Sequence, residues 1–262
     1  MAELLIKNSS VGFIKAIIFD KDGTLSNSEE YLLELAKTRV DFAVAKFRKL
    51  KINNFKIFLL KKLLNSVYGL TNQTLSANAS LAIASKEQNI ISTATIFTIF
   101  GFDWFKSISI SQTIFDEVDI FLAKNKNNRQ KRKKLISGAF DLLASIKNKG
   151  VSIALMTNDT QVGIEEFISS NQLEGMFDYL WSAENKPSKP NPKAVIELCK
   201  RMLINPSECA LISDADTDLK MAKEADIPII IGFSGGWKNP PILTETQFII
   251  EKLNELNIQI NT

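Results

Sequence analysis

Histidine is absent from the 262 residues of this chain. Its absence removes Ser-His-Asp triads, His-ligated zinc and phosphohistidine chemistry, and leaves proton transfer to Asp, Glu, Lys, Tyr or Cys. Cysteine is scarce. Cys199 and Cys209 are the only two, too few for a disulfide framework, and they read as reduced thiols of a cytoplasmic protein. No apolar run approaches the ~20 residues that span a bilayer, and the opening MAELLIKNSS lacks the apolar stretch of a signal peptide. A large excess of charge is missing as well. The formal net charge of +3 is too small to imply nucleic acid or an anionic membrane as a partner. The basic run KNKNNRQKRKK at 124–134 has no aromatic residue interleaved with its lysines and arginines, so it reads as a solvated linker rather than a nucleic-acid patch. What remains is an ordinary globular composition, 45% hydrophobic and 23% charged, in a chain long enough for one large domain or two modest ones.

Short β-branched runs punctuate the sequence. AIIF at 16–19 is followed by an Asp/Gly cluster, and comparable runs stand at 152–156, 179–182, 209–212, 227–231 and 248–250. Between the later runs lie amphipathic stretches of helix length at 160–170, 192–203 and 217–225, with Pro192 suited to a helix first turn. Such alternation predicts an α/β fold with a Rossmann-like parallel sheet, helices on both faces and right-handed crossovers. More than a hundred residues separate the first of these runs from the second, and they read as helix. Apolar positions Leu32, Leu35, Ala36, Val40, Ala43, Val44 and Phe47 make one stripe, Ser28 is placed to cap it, and further helical patterns occupy about 55–68, 74–87 and 112–124. The expected organisation is therefore an α/β core of residues 1–26 and 131–262, carrying a helical domain, 27–130, inserted after its first strand.

In an open parallel sheet, ligands bind beyond the carboxyl ends of the strands. The polar residues that follow each run are Asp20 and Asp22, then Thr157, Asn158 and Asp159, then Lys186 and Lys189, then Asp214, Asp216 and Asp218. Carboxylates gathered this closely repel one another, and hard oxygen ligands suit Mg²⁺. A metal, a lysine and a hydroxyl together are equipment for a phosphoryl group. Asp20 then serves as a nucleophile toward phosphorus, and Asp22 trades a proton with the leaving oxygen. Gly23 lets the backbone approach the phosphate. Plainer readings stand beside these. Thr157 can be a strand-end cap, Lys186 rather than Lys189 can be the phosphate lysine, and Asp216 reads as solvated or as a helix N-cap. Trp104 and Phe105 can line the substrate cleft but read rather as cap-core packing, and GFSGGW at 232–237 can contact the lid edge of the core but reads rather as an ordinary turn.

FDKDGTL at 19–25, LMTND at 155–159, KPNP at 189–192 and LISDADTDLKMAKEAD at 211–226 resemble, in order and spacing, the four motifs of the haloacid dehalogenase-like phosphohydrolases. The resemblance implies an aspartyl-phosphate formed on Asp20, with Asp22 as general acid/base and, through its backbone carbonyl, a metal ligand. It implies Thr157 as a phosphoryl hydrogen-bond donor, Lys189 as the neutralising cation, Asp214 as a Mg²⁺ ligand and Asp218 as a support for the metal or the lysine. The helical insertion resembles the family's cap. Two positions depart from the pattern: Ser213 stands where glycine is usual and Ala215 where a hydroxyl is usual, and metal affinity is the property they bear on. Asp22 argues against the dehalogenase and phosphonate-cleaving branches, and the lack of histidine against the hexose-phosphate mutases. The implied activity is hydrolysis of a small phosphorylated metabolite in the cytoplasm, most like the phosphoglycolate phosphatase group, with phosphoglycolate or a sugar phosphate as candidates. A second class, a regulatory phospho-acceptor without turnover, uses similar acids, threonine and lysine on a parallel sheet. Such receivers are roughly half this length and carry no insertion of this kind.

Overall fold

AIIF, the run before the first carboxylate pair, is the strand around which the sheet is built. The structure, a computed structural model, describes residues 1–71, 73–124, 134–246 and 248–260. The basic run at 124–134 lies almost wholly outside the described residues. Two units are distinguishable, Met1–Ser28 with Lys133–Thr262, and Glu29–Arg132.

The first unit begins with two strands that the sequence pattern did not announce, β1 (Ala2–Ile6) and β2 (Ser9–Ile14). They pair antiparallel with each other, and β1 also pairs antiparallel with β11 (Leu256–Gln259) at the opposite end of the chain. AIIF is therefore β3 (Ala16–Phe19), not the first strand. Next come α6 (Ala139–Asn148), β6 (Ser152–Met156), α7 (Gln161–Ser170), β7 (Tyr179–Trp181), α8 (Pro192–Met202), β8 (Cys209–Ser213), α9 (Asp216–Glu224), β9 (Ile229–Phe233) and β10 (Phe248–Ile250). Six strands form the main sheet in the order β10-β9-β8-β3-β6-β7, each neighbouring pair parallel.

All four side chains of β3 are buried because both faces of the sheet are covered, which is why the run is apolar without alternation. On one face Ile17, Phe19, Ile153, Leu155 and Ile231 pack against Leu143 and Ile146 of α6, Phe167 of α7, and Leu4, Ile14 and Ile258 of the small antiparallel sheet. On the other, Ile18, Ala154, Met156 and Leu211 meet Val195 and Leu198 of α8 and Leu219 of α9. Cys199 and Cys209 are buried free thiols. Strand order reverses at β3, with β8 on one side and β6 on the other. The loops after these three strands thus share the switch point where α/β sheets hold ligands.

The second unit is helical: α1 (Glu29–Lys49), α2 (Asn54–Tyr68), α3 (Ser80–Ile83), α4 (Lys86–Ile99) and α5 (Trp104–Lys124), with a short hairpin of β4 (Leu70–Thr71) and β5 (Thr74–Leu75). The helix expected over 74–87 is not formed. The hairpin and α3 occupy that stretch, and Ser85 closes a capping box with Gln88 that starts α4 one residue later. Phe47 centres this unit's core, its ring centroid within 5.5 Å of those of Phe97, Phe100 and Phe102. Trp104 and Phe105, expected to pack, open α5 with exposed side chains. Among the described residues no helix is long and apolar enough to cross a membrane.

Candidate active site

After Phe19 the chain leaves the sheet but keeps one more ladder bond, Asp20 N–H to the carbonyl of Ile212, at 3.0 Å. It then turns sharply. The Lys21 carbonyl accepts from the N–H groups of Thr24, Leu25 and Ser26, and Gly23 N–H donates to the carbonyl of Ser26. Gly23 has φ 84°, and a Cβ there would lie 2.2 Å from Asp214 Oδ2 and 2.5 Å from Trp237 Nε1. Glycine is needed both for the left-handed turn and for the close approach.

Asp20 and Lys189 meet across the switch point, 2.6 Å from Oδ1 to Nζ and both buried. Lys189 also pairs with Asp218, from the first turn of α9, and donates to the carbonyl of Met156. Burial raises the Asp20 carboxyl, Lys189 opposes the rise and Asp218 adds to it, and the result is about 6. Burial would lower the Lys189 ammonium, but Asp20 and Asp218 outweigh it and hold it above its ordinary value. Lys186 is exposed, so the buried cation beside Asp20 is Lys189.

Asp214 is buried at the end of β8. Its carboxylate accepts from the Thr24 hydroxyl at 2.8 Å and from Trp237 Nε1–H at 2.5 Å, both neutral donors. Burial, then the nearby charge of Asp20, pushes its carboxyl well above the usual range. The Asp22 carboxylate accepts from the Ser28 hydroxyl and pairs with Lys21 at 2.7 Å. Thr157 is buried at the end of β6, and its hydroxyl accepts from Asp159 N–H at 3.1 Å. Asn158, next along, is partly buried.

The remaining positions divide clearly. Asp216 is neither free in solvent nor an N-cap. It is the first residue of α9, and its carboxylate accepts from Thr244 N–H, the Thr244 hydroxyl and Glu245 N–H, which anchors a distant loop. Ser213, in place of glycine, is absorbed locally: its hydroxyl donates to Asp218 and accepts from Ala215 N–H. Three contributors went unread in the sequence. Thr24 and Lys21 lie inside FDKDGTL with no role of their own in the sequence pattern, and Trp237 lies in the GFSGGW stretch. The Gly235–Gly236 pair was the available signal for Trp237, since a Cβ on Gly236 would lie 1.8 Å from the carbonyl of Gly23.

A cation fits this donor set. Asp20 and Asp214 are two buried carboxyls whose ionisation burial opposes, the charge of Asp20 raising Asp214 further, and no lysine or arginine among the described residues pairs with Asp214. Among the described residues no three carboxylate, thiol or imidazole side chains converge on one point. Mg²⁺ suits that arrangement, because it keeps several waters and takes only one or two carboxylates.

Residues 14–226 match the sequence profile of a family described as haloacid dehalogenase-like hydrolases. The chain belongs to that family. A phosphoglycolate phosphatase of Colwellia psychrerythraea is 23% identical over 250 residues, 94% of this chain and 96% of the relative. Among solved haloacid dehalogenase-like folds, a predicted phosphoglycolate phosphatase of Haemophilus somnus superposes with a TM-score of 0.62 at 17% identity, covering 93% of this chain and 96% of its own. The protein YfnB of Bacillus subtilis, solved bound to magnesium, gives 0.58 at 15% identity, covering 93% and 97%.

Proposed function

We propose that the protein is a Mg²⁺-dependent phosphatase of small phosphorylated metabolites, working through an aspartyl-phosphate on Asp20. The observation that carries this reading is the buried Asp20–Lys189 pair at the switch point, beside Asp214. Lys189 holds one Asp20 oxygen and orients the other for attack on phosphorus, while the ester oxygen departs with a proton from Asp22. Asp22 next removes a proton from water, which attacks the phosphoryl group, releasing phosphate and restoring Asp20. Thr157, Asn158 and the backbone at Gly23 hold the phosphoryl oxygens, and Lys189 offsets their charge. Asp20, Asp214 and the Asp22 carbonyl would hold Mg²⁺, with Asp218 steadying Lys189 behind them. That ion would supply the positive charge needed to bring an anionic ester against a carboxylate.

The relatives named phosphoglycolate phosphatases support a small ester as substrate, with phosphoglycolate and sugar phosphates the candidates. The test is a panel of phosphorylated metabolites and p-nitrophenyl phosphate, assayed with Mg²⁺, with excess EDTA, and with Asp20→Asn. We expect hydrolysis that EDTA abolishes and that Asp20→Asn lacks. Full activity in EDTA, or near-normal turnover by the variant, would contradict the reading.

A further inference from the structure

Lys21 stands between Asp20 and Asp22 in the chain, yet its side chain serves only one of them. Nζ is 2.7 Å from Asp22 Oδ2 and 3.1 Å from Oδ2 of Asp159, the residue two places past the end of β6. The lysine side chain is 5% exposed, while those of Asp22 and Asp159 are 27% and 33% exposed. Its ammonium also lies 5.7 Å from the Phe167 ring centroid. Burying a lysine is costly unless it is paired, so the fold spends two carboxylates to keep this one in place. Nothing about Asp20 requires it, because Lys189 already pairs with that residue.

The other oxygen of Asp22 accepts from the Ser28 hydroxyl. Each oxygen of the Asp22 carboxylate is therefore held by a donor, one from within the turn and one from just beyond it. Neighbouring residues in an extended chain point to opposite sides. Lys21 and Asp22 can pair because the turn begins at Lys21, whose carbonyl accepts three successive backbone N–H groups. Through Asp159 the same ammonium ties the loop after β3 to the loop after β6.

We infer that Lys21 is a positioning residue, which with Ser28 fixes the orientation of the Asp22 carboxylate so that it meets the leaving oxygen of the ester. The inference rests on the general acid role proposed for Asp22. It assigns to Lys21 no contact with substrate and no part in phosphate binding.

The consequence is selective for the leaving group. An ester whose alcohol departs easily needs little help from a proton, whereas a poor leaving group depends on it. The test measures kcat/KM for a series of aryl phosphates from p-nitrophenyl to phenyl, with wild type, Lys21→Met and Asp22→Asn. Methionine matches the length of the stem without the charge. We expect Lys21→Met to lose on the order of tenfold or more on phenyl phosphate, a fraction of the ~10²–10⁴-fold that a positioned proton transfer contributes, and much less on p-nitrophenyl phosphate. Inhibition by inorganic phosphate should stay unchanged, since Lys189 and Thr157 are untouched. In the Asp22→Asn background, Lys21→Met should have no further effect. An equal loss on every ester, or no loss, would overturn the inference and leave the phosphatase reading standing. Failure of the wild type to hydrolyse any member would instead overturn the phosphatase reading and the role of Lys21 with it. Should Lys21→Met not fold, Asp159→Asn removes the other partner of the ammonium. It is expected to shift the series in the same direction by less, and a uniform loss there overturns the inference equally.

Discussion

At the scale of single residues the site is a problem of unbalanced charge. Five carboxylates, Asp20, Asp22, Asp159, Asp214 and Asp218, face two lysines, Lys21 and Lys189. The lysines are committed to four of the acids, and Asp214 receives only neutral donors. Burial raises Asp20 from 3.8 to about 6, and raises Asp214 well above its ordinary value. A carboxyl raised on folding binds more protons in the folded state than in the unfolded one between the two values. Stability therefore falls as pH rises from about 4 through about 6, and for Asp20 the loss is on the order of 2–3 kcal/mol once complete. On the proposed reading, Mg²⁺ would bind the ionised acids and would have to displace these protons at low pH. Magnesium should accordingly raise the melting temperature of the EDTA-treated protein at pH 7.5 and do little at pH 5. Thermal melts at the two values check this, and an equal rise at both would place the metal away from Asp20 and Asp214.

At the scale of elements, the site depends on two loops that touch: the turn after β3 and the segment after β9 that carries Trp237. Their approach is limited by Gly236, where a Cβ would lie 1.8 Å from the carbonyl of Gly23. Gly236→Ala must push the loops apart and pull Trp237 from Asp214. We expect loss of the magnesium-induced melting shift and a destabilisation of about 1–3 kcal/mol, as in overpacking of tight contacts, read by denaturant titration. An unchanged magnesium shift would remove Trp237 from any role at the metal. The same elements show what was legible beforehand. β3, β6 and β8 could be read because strands covered on both faces need unbroken apolar runs, and the polar residues after them could be read because the topology sends those ends to one edge. β1 and β2 pair locally across Lys7 and Asn8, both at positive φ, but neither run has the unbroken apolar character that marks the buried strands; the second pairing of β1, Glu3 with Gln259 from the far end of the chain, leaves no trace in local pattern. The stretch 74–87 was misread for a different reason: its apolar spacing suits a helix, but the Ser85–Gln88 capping box marks a start and therefore an interruption. Lys21 and Trp237 escaped because their partners are fixed by the turn and by loop packing, not by periodicity.

At the scale of the molecule, the site residues belong to one unit although the sequence divides it. The chain departs after Ser28 and returns near Lys134, where Asn27 N–H donates to the carbonyl of Lys134 at 2.7 Å and Ser26 bridges to Leu135. The insertion thus leaves and re-enters at neighbouring points, and the inserted helices have an aromatic core of their own. The decisive contacts are long-range: Asp20 and Lys189 lie 169 residues apart, and Thr24 and Asp214 lie 190 apart. Neither pair can form before the parallel sheet has brought β3, β6 and β8 together, so the site is a product of the assembled fold and of no local segment.

On the proposed mechanism, Asp20 is phosphorylated during turnover. The direct measurement is an acid quench of the full-length protein mixed with p-nitrophenyl phosphate and Mg²⁺, followed by mass spectrometry of its peptides. Asp22→Asn is run in parallel, because loss of the base should slow breakdown of the intermediate. The account predicts a phosphoryl adduct on Asp20, enriched in Asp22→Asn and absent from Asp20→Asn. An adduct on any other residue, or hydrolysis with none on Asp20 in either protein, would contradict it.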